Sequence, residues 1–138
     1  MQDGSHSPFV ANMGGRLEEV RPGYARLVLV AGPSHLDPWG RVHRGVLGAI
    51  MDSAVGAALG HLKAMEGLAE APQATVSMDV LFLATSGPGE LVAEGKVLQW
   101  RRPVAFGEAQ VGLRDGPALA RASIVFLVGR GDGWRTST

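Results

Sequence analysis

The sequence predicts an α+β domain, with one antiparallel sheet packed against a single long helix. Three observations carry this. One uninterrupted, proline-free stretch from about Gly45 to Met65 is too long for an ordinary strand. The segments on either side alternate apolar and polar residues with a period of two, and they are separated by Gly/Pro turn chemistry.

The elements follow in order. Residues 15–31 hold two short strand-like runs, GRLEEV and YARLVLVA, joined by Arg21-Pro22-Gly23, which reads as a hairpin. An irregular loop, GPSHLDPWGRVHRG, leads into the helix. The helix carries Gly45, Gly48, Gly56 and Gly60, each costing about 1 kcal/mol of helix propensity relative to Ala. Small residues on several faces let neighbouring backbone come close, so the helix is expected to lie enclosed by a curved sheet and to be apolar nearly all round. After Pro72, Val76, Met78, Val80 and Phe82 alternate with Thr75, Ser77, Asp79 and Leu81. Ser86-Gly87-Pro88-Gly89 marks a turn, and LVAEGKVLQW, VAFGEAQVGLR and ALARASIVFLV follow on short connections that imply an antiparallel meander. The order is two strands, one helix, four strands.

Composition narrows the function. The 138 residues suit one domain, 1–138, with 1–13 expected to be a flexible or loosely packed segment. Thirteen basic and thirteen acidic residues balance to zero formal charge, without a basic stripe, so no nucleic-acid partner is expected. Zero cysteines exclude disulfides, a thiolate nucleophile and Cys-ligated metal sites, and neither metal nor cofactor is expected. The N-terminal residues lack a basic-then-apolar leader pattern, and apolar runs elsewhere are interrupted, so the expectation is a cytoplasmic protein without a membrane partner.

Asp52 stands out by position. It is a carboxylate in the middle of an apolar helix, where burial is costly unless the group is paired or has a task, and desolvation there should raise its pKa. A structural role, bonded to Ser53 or Ser77 or capping a loop, is the competing reading.

The loop–helix junction, LDPWGRVHRGVLGAIMDSAVGAALG, resembles that of the hotdog-fold acyl-CoA thioesterases of the phenylacetate-degradation (PaaI-like) and 4-hydroxybenzoyl-CoA group. Their usual pattern is Asn-x-x-Gly-x-x-His-Gly-Gly, then after a short apolar stretch Asp or Glu and Ala-x-Gly. Gly40, His43, Gly45, Asp52, Ala54 and Gly56 fall in place, and the resemblance runs from about Gly14 to Val128. Two positions depart: Arg44 stands at the first Gly and Asp37 at the Asn. The resemblance implies a hotdog fold and hydrolysis of a small or medium acyl-CoA, with Asp52 as general base or nucleophile. It implies that the backbone N–H of Arg44, at the helix N-terminus with Gly45, faces the developing oxyanion. His43 orients the loop or assists polarisation of the carbonyl, with capping of the helix start the competing reading, and Ser77 matches a hydroxyl position of some relatives. An acid and a base at the two departures, Asp37 and Arg44, suggest a compensating pair, with Arg41 the rival partner.

Spacing adds a quaternary expectation. Gly45 and Asp52 are seven residues apart, roughly 10 Å along a helix, too far to serve one carbonyl. The donor and the carboxylate of one site should come from two subunits of a homodimer, and the resemblance extends this to a homotetramer. Two alternatives compete: an impaired acyl-CoA-binding protein, favoured if Arg44 and Asp37 spoil the carbonyl site, and a hydratase. The latter is disfavoured because His61 faces roughly away from Asp52 on the helix.

Overall fold

The computed structural model describes residues 7–129. The elements are α1 (Pro8–Met13), β1 (Arg16–Arg21), β2 (Tyr24–Ala31), α2 (Arg44–Met65), β3 (Gln73–Phe82), β4 (Gly89–Arg101), β5 (Val104–Leu113) and β6 (Ala118–Val128), with a short 3-10 turn at Pro33–His35. All six strands form one antiparallel sheet in the order β1-β2-β4-β5-β6-β3. The sheet wraps around α2, as the hotdog fold requires.

One expectation is corrected and one is met. The segment expected to be loose is ordered where it is described: Pro8–Met13 forms a helix, and Val10 is only 2% exposed, packed in the main core. Met13 of the same helix also packs against that core. The expected meander is present as β4, β5 and β6, joined through Arg101-Arg102-Pro103 and Asp115-Gly116-Pro117. The Ser86–Gly89 turn is not a hairpin, because β4 pairs with β2 and β5 while β3 pairs with β6 at the far edge. Long strands β4 to β6 fill the middle of the sheet, and β3 closes its end.

The helix is held close by small residues, but chiefly those of the sheet. Gly95, Gly107, Ala109 and Ala122 are buried and lie in adjacent register on β4, β5 and β6. A Cβ at Gly95 would come within 2.6 Å of the backbone carbon of Ala54 and nitrogen of Val55. Gly48 and Gly56 of the helix meet only side chains, those of Met78, Gln73 and Phe126. Around this contact Leu27, Leu29, Ile50, Met51, Leu59, Leu91 and Ile124 form the core.

The two edges of the sheet differ. β1 is blunted by charge, with Glu18 and Glu19 paired to Arg26 and Arg114. β3 carries exposed apolar residues, Val76 at 54%, Leu81 at 61% and Phe82 at 40%, followed by Leu83 at 50%. Its backbone has a partner on one side only.

Candidate functional site

His43 sets the start of α2. It is the N-cap residue, in extended conformation, and its Nδ1 accepts the Gly45 N–H at 2.8 Å. A side-chain acceptor at this position satisfies a donor that the helix leaves unpaired. The imidazole therefore caps the helix, and the Gly45 N–H is committed to it. The Arg44 N–H finds no acceptor among the described residues. At this junction it is the backbone donor left for a ligand, and it sits at the positive end of a helix of 22 residues.

Two turns along the helix, Asp52 is half-buried and directed toward β3. Its carboxylate accepts a hydrogen bond from the Thr75 hydroxyl. Burial pushes the Asp52 carboxyl above the usual carboxylate range, and the Thr75 hydrogen bond opposes that shift without cancelling it. The expected partners Ser53 and Ser77 are not the ones used.

Thr75 was hidden from sequence periodicity by a bulge. The register slips between Thr75 and Ser77, so Val76 is the extra residue. Thr75 pairs with Phe126, Met78 with Ile124 and Val80 with Ala122, which puts all three on the helix-facing side of β3. Strict alternation groups Thr75 with Ser77; the bulge turns Ser77 outward, where it is exposed.

Arg44, Gly45, Gly48, Ala49, Asp52, Thr75, Met78, Val80 and Phe82 line one open groove of about 380 Å³ between α2 and β3. Of the candidates, Asp52, Arg44 and Gly45 meet here. His43, Asp37 and Ser77 are not among its lining residues. The Asp37 Oδ1 accepts the backbone N–H of Trp39 at 2.9 Å and of Arg41 at 3.0 Å, which closes the Asp-Pro-Trp-Gly turn. The Arg44 guanidinium instead lies over the Phe82 ring, 5.7 Å from its centroid. The expected Asp37–Arg44 pair is not made, because the short side chain of Asp37 is held by its own loop. Arg41, the rival, reaches the Thr85 hydroxyl with its side chain and Asp37 only through its backbone. His61 is exposed. Among the described residues no cluster of three or more His, Cys, Asp or Glu could hold a metal.

A larger hollow of about 580 Å³ lies on the outer face of the sheet. Its walls include Asp79, Glu94, Lys96, Glu108 and Arg121, alternating charges that do not suit an acyl chain. The α2–β3 groove combines a half-buried carboxylate, a backbone donor without an acceptor among the described residues, and apolar walls.

Known structures share this architecture. A thioesterase family protein from Silicibacter pomeroyi superposes with a TM-score of 0.83 at 25% identity, over 92% of this chain and 93% of that one. A point variant of the phenylacetic acid degradation protein PaaI from Thermus thermophilus gives 0.74 at 23%, over 88% and 98%. A point mutant of a thioesterase from Staphylococcus aureus gives 0.82 at only 9%, over 90% and 100%. At such low identity the last two speak for the fold alone. A comparison with curated protein sequences gives no match. The thioesterase superfamily profile matches residues 40–120, from the loop before α2 into β6 and across the whole groove, and the chain belongs to that superfamily.

Proposed function

We propose that this protein is an acyl-CoA thioesterase that hydrolyses a small or medium acyl-CoA to the free acid and CoA, with Asp52 activating the attack. The observation that carries the reading is the half-buried Asp52 carboxylate, raised in pKa by burial and opening onto an apolar groove, with Thr75 holding one of its oxygens. As general base, Asp52 takes a proton from water as the water oxygen bonds to the thioester carbon. The oxyanion that forms is met by the unpaired Arg44 N–H of a second subunit. The C–S bond then breaks, and the sulfur leaves with the proton returned from Asp52. As nucleophile, the carboxylate would attack the thioester carbon and expel the CoA thiolate as the C–S bond breaks, leaving an acyl anhydride that water opens at the Asp52 carbonyl. Single turnover in ¹⁸O-water separates the two routes, since only the second puts the label into Asp52.

Association through β3 supports a shared site. An apolar edge strand with open backbone groups invites pairing, whereas the charged β1 edge resists it. A two-fold axis at β3 would bring the start of one α2 toward Asp52 of the other. A homodimer is thus the smallest active unit, and its pairing into a homotetramer is part of the same proposal.

Release of free thiol from a panel of acyl-CoAs tests the reading. The wild type should turn over at least one, and Asp52→Asn should lower kcat by on the order of 100-fold. Absence of thiol release across aromatic, short and medium acyl-CoAs would leave an acyl-CoA-binding protein instead.

A further inference from the structure

The groove contains a cation that hydrolysis of a plain acyl thioester does not require. Arg44 is exposed, and among the described residues its guanidinium takes part in no ion pair. The Phe82 ring beneath it holds it at the groove by a cation–π contact and leaves the N–H fork open. Asp52 lies eight residues further along α2, about 12 Å by helical rise. Between the two, the walls are Gly48, Ala49, Met78, Val80 and Phe82, without a polar side chain.

We propose that Arg44 selects acyl thioesters bearing a carboxylate at the far end of the acyl chain. The inference rests on the thioesterase reading above and names its substrate class. A hydrocarbon chain loses nothing by entering this stretch of groove, whereas the two amides of a pantetheine arm would give up water and find no partner there. The acyl group is therefore the occupant between Asp52 and Arg44, and the anion that meets the guanidinium is the chain's own terminal carboxylate. A planar fork facing a carboxylate makes two parallel hydrogen bonds, which a methyl end cannot provide.

The test compares adipyl-CoA with hexanoyl-CoA, which share a chain length and differ in the terminal group. The readout is the ratio of their kcat/KM values, whatever happens to the absolute rates. The wild type should favour adipyl-CoA, Arg44→Met should lower the ratio by about ten-fold, and Arg44→Lys should recover part of it. A ratio unchanged in Arg44→Met overturns the proposal. A parallel fall for both substrates is one such case, and it would assign Arg44 to the CoA phosphates. If neither these two thioesters nor any other of the acyl-CoA panel is hydrolysed, the thioesterase reading fails separately. The selectivity is then read by calorimetry with the non-hydrolysable thioethers S-(5-carboxypentyl)-CoA and S-hexyl-CoA. There too, preference for the carboxylate that Arg44→Met reduces about ten-fold supports the inference, and equal binding ends it.

Discussion

The Thr75 hydroxyl donates a hydrogen bond to the Asp52 carboxylate, tying β3 to the middle of α2 at the floor of the groove. Burial raises the Asp52 carboxyl and this bond lowers it, so the pair sets the pH at which the base becomes competent. Thr75→Val should remove the opposing effect. The acidic limb of kcat/KM should then move to higher pH, while Thr75→Ser keeps it near the wild-type position. A pH–rate profile of the three proteins checks this; an unmoved limb in Thr75→Val would separate Thr75 from the chemistry.

Asp52→Asn should gain stability where it loses activity. A carboxyl whose folded pKa is raised favours folding below its unfolded pKa, and that contribution is lost as pH rises through the folded value. At neutral pH the ionised Asp52 is therefore a cost. The amide oxygen can still accept from Thr75 without carrying charge. Thermal unfolding should give a higher Tm for Asp52→Asn than for wild type at pH 7, with the gap closing as the pH drops toward the ordinary carboxylate range.

Gly95→Ala tests the close approach beneath the site. Its Cβ would sit 2.6 Å from backbone atoms of Ala54 and Val55, neither of which can rotate away. The helix must shift, and overpacking of this kind costs about 1–3 kcal/mol. Denaturant midpoints measure the loss. The same shift moves Asp52, two residues before Ala54, so kcat should fall beyond what the unfolded fraction explains.

Charging the open edge of β3 should separate subunits. Val76→Lys with Leu81→Lys places two ammonium groups on an exposed apolar strand, a device by which natural edges resist pairing. Sedimentation should show a smaller species, and specific activity should drop on dilution more steeply than for wild type. Full activity in a proven monomer would refute the shared site.

Sharing can also be tested by mixing. Asp52→Asn chains and chains disabled at the start of α2 are each expected to be inactive, yet hybrid dimers would hold one intact site. Subunit exchange followed by mass spectrometry, with thiol release read in parallel, distinguishes a shared site from two independent ones.

Much of this molecule was legible along the chain, because local physics decides it. Proline-free length and apolar content defined α2 to within one residue of its start, and Arg21-Pro22-Gly23 defined the first hairpin. Asp52 was conspicuous because a carboxylate in an apolar helix needs a reason. The placement of β3 was decided only by the tertiary structure, since a strand's neighbours depend on non-local pairing, and its partner is β6 at the far edge. The bulge at Val76 is likewise a property of the paired ladder, and it exchanges Ser77 for Thr75 at the carboxylate. Charge complementarity in sequence suggested that Asp37 and Arg44 would meet. In the fold, the nearest backbone donors take Asp37 and an aromatic face takes Arg44, because groups only a few bonds apart pair before those that must cross a loop. The chain alone therefore marks Asp52 and the start of α2 as candidates, and the packing of β3 against α2 decides which residues share their groove.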